Sequence, residues 1–117
     1  MVKRYVPDRG DIVWLNFTPQ AGHEQAGHRP ALVLSPAAYN GKTGLMLCCP
    51  ITSQVKGYPF EVRLDAGADA QGVVLSDQVK SLDWQARQAT KRGGVLTLLL
   101  MDVKRRHQIH NDLQIIR

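Results

Sequence analysis

Between Gly22 and Pro30 the chain crowds two imidazoles (His23, His28), one carboxylate (Glu24) and one guanidinium (Arg29), just before a strand-like segment. Titratable groups held on a loop at the mouth of a rigid scaffold are where sites are usually built. The residues alone fit equally a solvated loop whose charges pair with one another, and that is the plainer reading. A second polar cluster, Pro50 to Gly57, carries Thr52, Ser53 and Lys56. Two hydroxyls and an ammonium at the end of a strand can hold a phosphate, or the hydroxyls can simply bond nearby backbone. A third cluster, Ser76 to Ser81, alternates polar side chains with Val79, a spacing that lets a strand present Gln78 and Lys80 on one face.

The elements that must position these groups are short. Ile12 to Phe17, apolar on both faces, and Ala31 to Leu34, opened by Pro30 and ended by Ser35-Pro36, read as strands. Leu45 to Cys49, closed by Pro50, reads as a third, with one helical turn over 37–40 before it. From Pro59 to Leu64, Phe60, Val62 and Leu64 alternate with Glu61 and Arg63, which predicts a half-exposed antiparallel strand with the two charges in water. Gly72 to Leu75 begins another strand, which 79–84 continues. Gly93-Gly94 marks a break, and Val95, Leu98, Ile109, Leu113 and Ile116 then fall on one stripe of a C-terminal helix. Turn signals this frequent suggest a small antiparallel barrel, a form that removes edge strands by closing.

The composition bounds what such a chain can be. Its 117 residues are 44% hydrophobic and 21% charged, a balance that fits one globular domain over 1–117. No apolar run approaches the ~18 residues of a membrane helix, and no apolar segment follows the basic N-terminus as in a secretory signal. Cys48 and Cys49 are adjacent, so on a strand they point to opposite faces; both are expected to be reduced, in a cytoplasmic protein. The net charge of +5 is unevenly placed. Residues 1–86 balance eight basic against eight acidic side chains, whereas residues 87–117 hold seven basic and two acidic ones. Any grip on nucleic acid by the body of the chain therefore rests on placed charges and not on a general positive field.

Six ordered blocks carry a resemblance over nearly the whole chain: Arg4-Tyr5-Val6-Pro7-Asp8 with Gly10-Asp11; Gly22 to Ala31; Val33-Leu34-Ser35-Pro36; Tyr39-Asn40 with Lys42-Thr43-Gly44; Lys56 to Val62; and Asp77-Gln78-Val79-Lys80-Ser81. On these residues the chain resembles the MazF/PemK family of toxin endoribonucleases; from about Thr90 onward it matches least. The resemblance implies an SH3-like antiparallel β-barrel with short helices and a C-terminal helix, working as a homodimer. It implies metal-independent cleavage of single-stranded RNA at short motifs, with no cofactor. The 2′-hydroxyl attacks the adjacent phosphate and leaves a 2′,3′-cyclic phosphate and a 5′-hydroxyl. It also implies a cognate antitoxin whose acidic tail covers the RNA groove. In position, Arg29 and Thr52 match the family's catalytic pair and Glu24 a third important residue.

The chemistry of the residue types agrees with that assignment. Negative charge building on a pentacoordinate phosphorus calls for a fixed cation, and a planar guanidinium supplies one while serving poorly as a base. Thr52 donates a hydrogen bond to a nonbridging oxygen, and Glu24 or His28 accepts the 2′-hydroxyl proton. Among the remaining groups, Asn40 and Gln78 are candidates to read base edges and Lys56, Lys80 and Arg87 to meet phosphates. Trp14, Tyr58 and Trp84 are candidate stacking platforms, though each fits a barrel core better. A zinc site built from His107 and His110 lacks a recognised ligand spacing. The rival from another class is a noncatalytic binding module acting on a protein target through the same barrel surface. Arg29, Thr52 and Glu24 together speak against it, since a pure binder does not need that trio.

Overall fold

The computed structural model describes residues 5–16, 28–64, 72–95 and 97–116, with side chains as far as Asn111. Among the described residues, seven strands and two helices follow one another. They are β1 (Asp11–Asn16), β2 (His28–Val33), α1 (Ala37–Thr43), β3 (Leu45–Thr52), β4 (Glu61–Arg63), β5 (Val73–Leu75), β6 (Lys80–Asp83), β7 (Thr90–Gly94) and α2 (Thr97–Ile116). Every pairing is antiparallel, in the order β4-β5-β3-β2-β1-β7, with β6 also on β3. Strand β3 is the hinge of the arrangement. One edge pairs with β2, while the other pairs with β6 at its start (Leu45↔Asp83 to Cys48↔Lys80) and β5 at its end (Ile51↔Val74, Thr52↔Val73). The result is a barrel-like sheet with a C-terminal helix, left open among the described residues.

Because β1, β2 and β3 are apolar on both faces, the sheet is buried on both. One face joins Ile12, Leu32, Cys49, Ile51, Val62 and Val74 to Leu99, Leu100 and Val103 of α2. The other joins Val13, Leu15, Ala31, Val33, Met46 and Cys48 to Trp84, with Tyr5 and Val6 packed against it. Cys48 and Cys49 are both free and buried and fall into opposite clusters, as adjacent strand residues must. Burial pushes both thiols up to about 12.

Several element boundaries differ from the sequence expectation. Strand β3 runs through Pro50, which pairs with Ala31, and does not stop there. The segment after Leu75 turns instead of continuing, and 80–83 forms its own strand on the other half of β3. Gly93 and Gly94 belong to β7 and pair with Ile12 and Asp11, across a register shift between Ile12 and Val13. Glu61 is buried at 9% exposure, although strand alternation put it in water. The helix buries Leu99, Leu100 and Val103, while Leu98 and Ile109 of the expected stripe stand 78% and 49% exposed. Leu113 and Ile116 of that stripe lie beyond the described side chains.

Candidate active site

Arg29 sits near the start of β2, paired with Leu15 of β1, and Thr52 closes β3, paired with Val73 of β5. The β2–β3 register pairs Ala31 with Pro50 and Leu32 with Cys49; continued outward, it sets Arg29 level with Thr52. Alternation puts both on the face of Ala31, Val33 and Cys48. The pair therefore extends a buried apolar face just where that face runs out. Arg29 Nε is buried and has no hydrogen-bond partner among the described residues. An unpaired buried N–H on a guanidinium costs about 1–3 kcal/mol, a cost that a bound phosphate oxygen or water would relieve. Lys80 is exposed and pairs with Cys48, while Arg87 donates from Nη1 to the Asn16 carbonyl at 3.3 Å.

Beside Thr52 opens a cavity of about 180 Å³, walled by Thr52, Gln54, Lys56, Tyr58, Phe60, Glu61, Leu75 and Gln78. Tyr58 and Phe60 stack with ring centroids 5.3 Å apart, and Tyr58 is 52% exposed. The cavity thus has an aromatic wall, two amides and an ammonium next to a hydroxyl, the inventory that single-stranded RNA recognition uses.

Two residues that sequence reasoning missed hold this cavity in shape. The buried Glu61 carboxylate accepts the backbone N–H of Lys56 at 3.2 Å and of Gly57 at 2.9 Å, which fixes the loop carrying Lys56 and Tyr58. Gly72, at φ +118, lies so close to Thr52 that a Cβ there would overlap the Thr52 carbonyl. Only glycine adopts that backbone conformation freely and leaves room for the approach. A glycine opening a strand was the one available signal for it.

The other candidate residues sort by position. Thr52, Lys56 and Gln78 share the cavity. Alternation turns the exposed His28 to the face opposite Arg29. Glu24 lies outside the described residues. Asn40 corrects the expectation that it reads bases. It is fully buried, accepts from Ser35 Oγ at 2.6 Å, and donates from Nδ2 to the carbonyls of Pro7 (2.7 Å) and Ser35 (2.9 Å). Its own carbonyl accepts the Trp84 indole N–H at 2.9 Å. Every polar atom of the amide is thus engaged within the fold, and Asn40 is a structural pin for the α1 turn. Trp84 is core, whereas Trp14 is half-buried beneath Arg92, whose guanidinium carbon lies 5.5 Å from its ring centroid. His107 bonds the Ser76 carbonyl and His110 meets the Phe60 ring edge-on, so neither imidazole is turned toward a common ligand point.

This fold and site define a small toxin domain of one class: residues 8–113 match the profile of the PemK-like, MazF-like toxin of type II toxin-antitoxin systems, and the chain belongs to that family. It is 63% identical over 95 residues to the endoribonuclease toxin MazF of Escherichia coli strain K12, covering 81% of this chain and 85% of that one. It is 43% identical over 99 residues to the endoribonuclease toxin ChpB of the same strain, covering 80% and 84% respectively. Among solved structures, it superposes on MazF in the MazE-MazF complex (Form-II) from Deinococcus radiodurans with a TM-score of 0.87. The identity there is 57%, and 93% of this chain and 98% of that chain are covered.

Proposed function

We propose that this chain, an endoribonuclease toxin, cuts single-stranded RNA at short sequence motifs, without a metal, through Arg29 and Thr52. The 2′-oxygen attacks the adjacent phosphorus, the 2′-hydroxyl proton passes to Glu24, since His28 faces away from Arg29, and the bond to the 5′-oxygen breaks. That oxygen takes a proton from water and leaves as a 5′-hydroxyl, and a 2′,3′-cyclic phosphate remains. Arg29 meets the charge that develops on the phosphate, and Thr52 holds one nonbridging oxygen. A nucleotide next to the scissile bond enters the cavity, against Tyr58 and within reach of Gln78, while Lys56, Lys80 and Arg87 meet phosphates. The observation that carries this reading is the level register of Arg29 and Thr52 beside a cavity with aromatic, amide and ammonium walls.

The proposed partner is a cognate antitoxin with an acidic tail, which seeks the same cations as RNA and competes with it. The Deinococcus radiodurans relatives crystallised as MazE-MazF complexes support that partner. The proposed working form is a homodimer acting in the cytoplasm. Leu98 and Met101, 78% and 58% exposed on α2, offer apolar surface for a second copy. The test is incubation of the protein with a long unstructured RNA in EDTA, beside an Arg29→Ala variant, followed by mapping of the cut ends. Discrete cuts bearing 5′-hydroxyls, absent from the variant, are expected; no cutting by the folded protein refutes the reading.

A further inference from the structure

We infer that Arg106 and His107 of α2 are positioning residues that hold the two walls of the cavity beside Thr52, and so set how tightly and how selectively it takes RNA. The inference rests on the reading that a nucleotide occupies that cavity. Neither residue lines the cavity.

Arg106 donates from Nη1 to the carbonyls of Pro59 (2.5 Å) and Glu61 (3.3 Å), at the end of the loop that carries Lys56 and Tyr58. Its Nε is held in turn by Asp102 Oδ1 at 2.9 Å, one helical turn back. The adjacent His107 grips the opposite wall. Its Nδ1 lies 2.8 Å from the Ser76 carbonyl, which can only accept, so Nδ1 carries the proton. Asn111 Nδ2 lies 3.2 Å from Nε2 and donates to it, which fixes that tautomer. Ser76 in turn donates from both N–H and Oγ to the Phe60 carbonyl, and the Gln78 N–H bonds Leu75. One turn further on, the His110 ring meets Phe60 edge-on, 6.3 Å between centroids. Three residues on one face of α2 therefore tie the 54–60 loop and the 76–78 turn to each other and to the helix. Glu61 clamps the first wall from inside; Arg106 clamps it from outside.

Loss of either clamp should loosen the walls without touching Arg29 or Thr52. Uniform binding and motif choice should weaken, and the chemical step should persist. The experiment measures kcat and KM for a short single-stranded RNA holding the mapped motif and for one with a single-base change beside the cut. It uses Arg106→Ala, Arg106→Lys, His107→Ala, His107→Asn and Gln78→Ala. We expect Arg106→Ala and His107→Ala to raise KM about 5- to 10-fold, with kcat within about twofold and narrowed discrimination between the two RNAs. A lysine ammonium or an asparagine amide restores one donor at its position, so Arg106→Lys and His107→Asn should recover most of the loss. Amide hydrogen exchange at Gly57 and Gln78 should quicken in the alanine variants, a reading independent of activity. Gln78→Ala raising KM while the two α2 alanine variants leave KM and exchange unchanged overturns the clamp alone. Gln78→Ala leaving KM unchanged overturns the cavity as an RNA site, and the clamp with it. A fall in kcat at unchanged KM in the α2 variants, or loss of fold in the alanine variants that the conservative ones do not rescue, assigns these residues to stability and overturns the inference.

Discussion

Arg29 and Asn40 show how differently two polar residues from one stretch of chain can be used. Arg29 keeps a buried Nε unpaired among the described residues, while Asn40 has its amide saturated by Ser35 and Pro7. If the first is a donor kept for phosphate, Arg29→Ala should cut kcat by about 10³-fold or more, as removal of transition-state arginines does. Thr52→Val, which removes one hydroxyl donor at nearly constant volume, should cost about 10²-fold. Single-turnover cleavage measures both, and melting should show both variants folded. Asn40→Ala should behave oppositely. It leaves buried donors and acceptors unpaired and costs about 2–4 kcal/mol, roughly a 10 °C fall in melting midpoint, with KM for RNA unchanged at temperatures where it is folded. Sequence alone could not separate the two: an asparagine in a turn-forming stretch looks as accessible as any other, and only the long-range contact with Pro7 and Trp84 reveals its burial.

At the scale of elements, the strands were legible and their partners were not. The double-sided apolar run of β1 announced a sheet covered on both faces, and the adjacent cysteines announced opposite sides. Glu61 was misread because alternation describes a regular strand face, whereas two loop N–H groups turn its carboxylate inward. The α2 stripe was misread because the helix surrounds its start with leucines, so period alone cannot choose which ones the sheet covers. Gly72 is the sharpest test of how elements set the site. Gly72→Ala puts a side chain on a φ of +118 and into the Thr52 backbone. It should therefore lower kcat through a displaced Thr52, as well as stability by more than about 1 kcal/mol. An unchanged kcat would detach Thr52 from its strand-end positioning. On α2, the hydrogen bond from Arg106 and then that from Arg105 hold the Asp102 carboxyl below its ordinary value of 3.8. A lowered native value adds stability that is complete above the ordinary carboxylate range and is lost as pH falls through the native value. The melting midpoint should thus drop between about pH 5 and pH 2, and Asp102→Asn should flatten part of that drop.

For the whole molecule, the uneven charge decides how RNA is held. The excess of +5 falls entirely in residues 87–117, yet the cavity, the proposed catalytic pair and, apart from Arg87, the cations proposed to meet phosphates lie in the balanced body of the chain. Binding should therefore engage a few placed cations, namely Arg29, Lys56, Lys80 and Arg87, and release few counterions. The logarithm of the affinity for a short RNA should fall against the logarithm of salt with a slope of about −3. A much steeper slope would transfer the grip to the basic helix. The central claim, attack by the RNA's own 2′-oxygen at a phosphate held by Arg29 and Thr52, is tested most directly by one substrate. A short RNA carrying a single 2′-deoxy nucleotide immediately 5′ of the mapped cut is compared with the all-ribose strand for binding and for cleavage. The account predicts that the substituted strand binds with similar affinity and that the bond is not cut. Cleavage of that bond at a comparable rate would contradict the account, since the attacking oxygen would then have to come from elsewhere.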